Sequence, residues 1–317
     1  MHFAKTTISK TIQSIGLLLI AGAGVSCSKA EITKTEVKQK QAAVQQDDVS
    51  QTQVSAVAVT DPQLSVQLWS VQDAMQADFE DTLTKLAAMG FQGVEFAGIF
   101  GKYEKNPEGL KVFLDTLGLK PSGAHVHFDK FTPENFENTV AFYQAIDCYY
   151  LIIPMDERAF TVEGAKEVAA DLAALQEKLA PFGMRAGYHN HKPEMIGEMG
   201  HTPWDVIGMG TNNQVILQQD VGWTEVAGKD PVAMIKAYPG RTVTTHYKAS
   251  APEPGNSEDP IIGRDTTDWK ALITANRTLG GTEWLVVEQE SYPEGMTPME
   301  SVEASLKGLQ TILDEMK

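Results

Sequence analysis

The stretch from Tyr149 to His191, YYLIIPMDERAFTVEGAKEVAADLAALQEKLAPFGMRAGYHNH, decides the architecture. It opens on an apolar run of strand length, Tyr149–Pro154. A long amphipathic stretch follows, Glu163–Leu179, and then a second strand-like run, Arg185–Asn190. Strand, helix and strand in that order imply parallel strands joined by a crossover helix. Cys148 borders the first run, which reads as a buried strand, so its thiol is a core side chain rather than a reactive one.

The same alternation recurs on both sides. Further strand-like runs are Ser65–Ser70, Gly93–Ala97, Ser122–His127, Val215–Asp220, Thr242–Tyr247 and Trp284–Glu288, with helix-like stretches such as Phe79–Met89 and Asp268–Thr278 between them. Thr297-Pro298-Met299-Glu300 has a capping residue, proline at the first helical position and glutamate at the third, and opens the last helix. Asp230-Pro231 opens the sixth in the same way. The stretch after the fifth strand is the weakest as a helix and reads mostly as loop. Eight such units over about 255 residues match the size of a (β/α)8 barrel. The rival is an open doubly wound sheet, but no glycine-rich phosphate loop follows the first strand. The expected fold class is therefore α/β, a (β/α)8 TIM barrel over residues 62–317.

The 317 residues, 42% hydrophobic and 21% charged, have the composition of a globular chain. Lys and Arg number 26 against 42 Asp and Glu, a formal charge of -16. Nothing gathers the cations into a patch, so nucleic acid is excluded as a partner. Two cysteines, Cys27 and Cys148, are too few for a disulfide scaffold.

The N-terminus carries Lys5 and Lys10 and no acidic residue before Glu31. An apolar run from Ile15 to Val25 ends at Ser26-Cys27. A basic start, about ten apolar residues and small residues before a cut site make a secretory signal too short to span a bilayer. Cys27 stands where the similar signal peptides of lipoproteins place the acylated residue, although Gly24 departs from their usual leucine. Residues 1–27 are thus expected to be a lipoprotein-type signal and 28–61 a disordered linker, polar and without an aromatic residue. The expected location is exported and membrane-anchored, periplasmic or at the outer membrane.

In such a barrel the C-terminal ends of the strands build the active site. Six of the eight strands end in an ionisable or imidazole side chain: Glu95, His125 with His127, His189 with His191, Asp220, His246 with Lys248, and Glu288. Period two places Thr242, Thr244, His246 and Lys248 on one face, and Trp284, Val286 and Glu288 on another. If those faces point inward, His246, Glu288 and Asp220 meet at the mouth. One imidazole and two carboxylates with open positions suit a catalytic Mn, Co, Zn or Mg ion. Each residue alone reads as well as a helix cap or a packing side chain; one metal site accounts for most of the set.

These residues resemble the xylose isomerase-like barrel family, which includes sugar phosphate isomerases and epimerases. The resemblance covers about residues 63–317. It rests on Val66–Val71, Gly90–Phe96, Tyr188-His189-Asn190-His191 with Glu194, Leu217–Asp220, His246-Tyr247-Lys248 and Val286–Glu288. It implies a divalent ion held by Glu, Asp, His and Glu at the ends of strands five to eight. Asp220, His246 and Glu288 match the last three, whereas the first position reads His189. Either His189 binds the metal, or Glu194 reaches back from the loop, or the ion has three protein ligands. Glu194 is favoured here, because a third hard carboxylate suits Mn or Mg, while His189 would favour Zn or Co.

The resemblance further implies proton abstraction beside the carbonyl of a hydroxyketone, with the metal as Lewis acid stabilising an enediolate. His191 is the first candidate for acid or base, followed by Lys248 and Glu95. His125, His127, Trp69 and Trp223 are candidate sugar contacts, with core packing the other reading of both tryptophans. Three functions follow from different classes. One is a sugar isomerase or epimerase. Another is a lyase or dehydratase on a 3-keto sugar glycoside or keto-cyclitol, and the third is a non-catalytic sugar-binding lipoprotein. A DNA-cutting relative is excluded by charge and by export.

Overall fold

The computed structural model describes residues 61–249 and 259–317, so the expected signal peptide, Cys27 and all of the expected linker except Asp61 lie outside the described residues. Eight short strands run parallel: β1 (Gln63–Gln67), β2 (Gly93–Phe96), β3 (Lys120–His125), β4 (Tyr150–Ile153), β5 (Arg185–His189), β6 (Ile216–Gln218), β7 (Thr244–Tyr247) and β8 (Trp284–Val287). Their neighbours run in the order β6-β5-β4-β3-β2-β1-β8-β7. A parallel bridge between Asp220 and His246 joins the two outer strands. Two backbone bonds support it, Leu217 N–H to Arg241 O at 2.9 Å and His246 N–H to Gln219 O at 2.8 Å. The sheet is thereby closed into a barrel, as expected.

The strands are buried on both faces because both faces are covered. Leu151 and Ile153 of β4, Leu217 of β6, and Leu285 and Val287 of β8 point outward into the large core shared with the helices. The alternate residues Ile152 and Ile216, with Val243 and Tyr150, form a separate small cluster inside the barrel. Trp284, Val286 and Glu288 therefore face inward, as period two requires. Glycine makes room at that inner level. A Cβ on Gly187 would lie 2.4 Å from Ile152 Cδ1, and one on Gly93 would lie 2.5 Å from the Trp284 ring. Two residues further along the same inward faces stand His189 and Glu95.

Each strand is followed by a helix: α1 (Phe79–Met89), α2 (Pro107–Leu117), α3 (Phe136–Ala145), α4 (Val162–Leu179), α5 (Pro203–Gly210), α6 (Pro231–Ala237), α7 (Trp269–Ala275) and α8 (Pro298–Glu315). In α4 the buried side chains Ala165, Val168, Ala169, Leu172, Leu175, Gln176 and Leu179 recur at helical spacing and face the sheet. The Gln176 amide oxygen accepts the Ala186 N–H at 2.8 Å and ties α4 to β5. Helix α8 begins with the expected capping box between Thr297 and Glu300. Cys148 is fully buried in the outer core, and burial pushes its thiol pKa up.

Two expectations need correcting. The first strand stops at Gln67 rather than Ser70, because the Gln67 side chain accepts the Trp69 N–H and opens a 3-10 turn over Leu68–Val71. The seventh helix ends its α-geometry at Ala275 and widens into a π turn, Asn276–Gly280. The segment after β5 is mostly loop, as expected. It contains α5, closed by a full capping box in which Thr202 accepts the Asp205 N–H and Asp205 accepts the Thr202 N–H. No helix among the described residues is long and apolar enough to cross a membrane.

Candidate active site

The strand ends converge on a buried polar cluster whose hub is Gln218, at the end of β6. Its amide nitrogen lies 3.0 Å from each Glu95 oxygen and 2.7 Å from Thr244 Oγ1. An ionised carboxylate only accepts, so the Gln218 NH2 must face Glu95 and its oxygen must face the imidazoles. That oxygen lies 2.9 Å from His125 Nε2 and 3.1 Å from His189 Nδ1. The His189 proton therefore sits on Nδ1, donating to Gln218, and the Nε2 lone pair faces Asp220 Oδ2 at 3.9 Å.

Glu95 is wholly buried on β2. Burial alone would raise its pKa, but His246 and His125 hold it down to about 2. It accepts from His125 Nε2 at 3.0 Å and from His246 Nε2 at 3.2 Å. The other His246 nitrogen, Nδ1, lies 3.0 Å from Glu288 Oε2. Burial opposes charging of this ring, yet Glu288 and Glu95 raise its pKa to about 10. Glu288 is held well below the usual carboxylate range against its burial, by His246 and Lys248.

Asp220 completes the group. Its Oδ1 accepts the Trp223 N–H at 2.7 Å, capping the short helix Val221–Val226, and its own N–H donates to Asn190 Oδ1 at 2.9 Å. Burial pushes its carboxyl up to about 7 against the pull of Lys248. Lys248 Nζ lies 3.3 Å from Asp220 and 3.7 Å from Glu288, contacts Glu290, and stands 4.4 Å from the centre of the Trp223 ring. These carboxylates raise its pKa despite burial.

One nitrogen or oxygen from each of His189, Asp220, His246 and Glu288 lies within 4.8 Å of the others. The donor chemistry fits a divalent cation. His189 presents an unprotonated Nε2 fixed by Gln218, and His246 presents Nδ1 while its Nε2–H is oriented by Glu95, the usual carboxylate–imidazole arrangement behind a ligating histidine. A cation there would replace the proton on His246 between two carboxylates.

The expected residues sort accordingly. Asp220, His246 and Glu288 meet at the mouth as expected, and His189 joins them. Glu194, favoured as the fourth ligand, is not among them: its carboxylate accepts from Tyr188 Oη at 3.0 Å and from the His191 N–H at 3.0 Å. Those bonds, together with burial of its side chain, spend it on shaping the loop. Glu95 and Lys248, expected as acid or base, are engaged with the cluster's own side chains and do not line the cavity. Trp223 carries Lys248 on its face instead of lining that cavity. His191, His125, His127 and Trp69 do line it. His191 Nδ1 is buried without a hydrogen-bond partner, and burial lowers the ring's pKa to about 4, so the imidazole is neutral at neutral pH. Sequence reading missed Gln218, Asn190, Gln67 and Glu290. Gln218 carried a signal, since it stands two residues before Asp220 inside the quoted Leu217–Asp220 run.

No protein-family profile matches the chain. Its sequence is 24% identical over 266 residues to the inosose dehydratase of Lacticaseibacillus casei, covering 71% of this chain and 86% of that one. The structure of a sugar phosphate isomerase/epimerase from Parabacteroides distasonis superposes with a TM-score of 0.64 at 23% identity, covering 77% of this chain and 96% of the other. A zinc-bound structure of IolI superposes at 0.62 with 14% identity, covering 80% and 98%. With its closed ring of parallel strands and these neighbours, the chain has a TIM-barrel fold.

Proposed function

We propose that this chain is a divalent-metal-dependent isomerase or epimerase that moves a proton beside the carbonyl of a sugar or cyclitol. The observation that carries the proposal is the convergence of His189, Asp220, His246 and Glu288, with a neutral His191 beside them at the cavity wall. Those four residues would hold the ion, which supplies Lewis-acid polarisation of the carbonyl oxygen. The neutral His191 imidazole at the cavity wall would accept the proton from the neighbouring carbon, the C–H electron pair forming a C=C bond while the C=O π pair moves onto the carbonyl oxygen. The His191 imidazolium then returns a proton to the adjacent carbon in an isomerase, or, with a second acid, the opposite face is protonated in an epimerase. Lys248, confined by three carboxylates, keeps its proton and balances their charge. Gln218 and Glu95 orient the two imidazoles.

A second reading is a dehydratase, favoured by the likeness to inosose dehydratase. It shares the proton abstraction, but the electron pair expels hydroxide from the β carbon, which leaves as water once protonated. A cavity-lining imidazole would supply that acid.

The test is a metal-loaded protein incubated with keto-sugars and keto-cyclitols in deuterated water. Solvent deuterium at the carbon beside the carbonyl, in a product of unchanged composition, supports the isomerase or epimerase. Loss of water assigns the dehydratase. No bound divalent metal and no exchange would leave a sugar-binding protein as the account.

A further inference from the structure

Beside the buried cluster opens a cavity of 570 Å³. A hexose has roughly a dozen non-hydrogen atoms and, at no more than the ~30 Å³ that one water takes in the liquid, fills under about 360 Å³. The remainder lies on the β1–β4 side of the mouth, where the wall changes character. Phe100, Val126, Phe142, Pro154 and Met155 line it there, and Trp69 stands at the rim. The Phe100 and Phe142 rings meet edge to face at 4.7 Å, which fixes that wall. Trp69 is 47% exposed and Met155 43%, a large apolar area left open to water at the lip of a polar site.

The charges point the same way. Lys130 is the one lysine or arginine of the cavity lining, against Glu104, Glu288 and Glu290. Its ammonium is exposed and 3.6 Å from Asp129. A phosphate ester would find no basic cradle.

From this we infer that the protein has a second subsite, built by the Phe100–Phe142 wall with Trp69 and Met155, that takes an aromatic aglycone. The substrate is then an uncharged glycoside that carries a ring ketone, its sugar ring reaching His191 while its aglycone lies on the β1–β4 side. The inference deepens the catalytic reading above and rests on it for the placement of the sugar ring.

Equilibrium binding to the full metal-loaded protein tests it, using matched methyl and phenyl β-glycosides of glucose, galactose and xylose, with lactose and glucose 6-phosphate alongside. The expected result is that one phenyl glycoside binds about tenfold or more tightly than its methyl partner. That ratio should fall towards one in both Phe142→Ala and Met155→Ala. Met155 is exposed, so its variant keeps the test open if Phe142→Ala does not fold. Equal affinity of each pair, absence of glycoside binding, or tighter binding of lactose or glucose 6-phosphate would overturn the aromatic subsite. Metal uptake and deuterium exchange on the same protein report separately on the catalytic reading. A protein that exchanges deuterium without a phenyl preference loses only the subsite, and one that prefers phenyl without binding metal loses only the catalytic assignment.

Discussion

Gln218 is the residue on which the geometry of the cluster turns, since one amide fixes Glu95, His125 and His189 together. Replacing it by leucine leaves His189 Nδ1 without its acceptor and Glu95 without a donor. Loss of such an outer partner lowers metal affinity by about 10–100-fold. Gln218→Leu should therefore bind Mn or Zn more weakly by that factor in a chelator competition, and unchanged affinity would remove Gln218 from the orienting role. The protonation of the cluster makes a second expectation. Without a cation, Glu288 and Glu95 raise His246 to about 10 against its burial, and burial raises Asp220 to about 7. At neutral pH the ion must displace the His246 proton and part of the Asp220 proton, so binding should release about one to two protons. Affinity then rises with pH. Calorimetry in buffers of different ionisation enthalpy reads the number, and a value of zero would contradict the ligand set.

At the scale of elements, α5 shows how a helix can be missed by periodicity and held by its cap. It has only eight residues, too few to display an apolar face clearly, and its stability comes from its first turn. Asp205 accepts from Thr202 N–H at 3.0 Å, from Thr202 Oγ1 at 2.6 Å, from Gly200 N–H at 2.7 Å and from Tyr238 Oη at 2.7 Å. Burial pulls its pKa up, but these bonds win and lower it. Removing an interaction of this kind costs about 0.5–2 kcal/mol, which is the loss expected for Asp205→Ala in urea unfolding at neutral pH. The sign of the pH dependence follows from the lowered value. The ionised Asp205 contributes its stability above the unfolded aspartate pKa of about 3.9 and loses it as pH falls through the lower folded value. The gap between native protein and Asp205→Ala should narrow in acid; a gap that widened would contradict the assignment.

The whole molecule combines a barrel carrying a buried polar cluster with an N-terminal stretch that reads as an export signal. We propose that Cys27 is the acylated residue and that the barrel is tethered to a membrane. Cys27→Ala in the full chain should then move the protein from the membrane fraction to the soluble fraction, leaving metal binding by the barrel unchanged. Recovery of the native chain in the soluble fraction without detergent would count against the proposal. Net charge supports the same separation of parts: a chain of formal charge -16 has no long-range attraction for anionic lipid, so the membrane contact would have to come from the acyl group.

How much of this was legible in the residues differs between fold and site for a physical reason. Strand and helix each have a period, and burial on both faces makes β4 an apolar run, so β4, α4 and β5 could be read from 43 consecutive letters. Period two also put His246 and Lys248 at the end of one row and Glu288 at the end of another, but not which way those rows face. Sequence could not choose between His189 and Glu194, since both lie within a few residues of the end of β5 and either could reach the mouth. Only the tertiary structure shows that His189, and not Glu194, stands with Asp220, His246 and Glu288. Gln218, from the neighbouring strand, accepts the Nδ1 proton of His189, while Tyr188 and the His191 N–H occupy Glu194. The same holds for Glu95 and Lys248, whose roles follow from partners 151 and 42 residues away. Periodicity is a property of local chain geometry and survives in the sequence, whereas the protonation and orientation of a buried side chain belong to the neighbours that the closed barrel brings to it.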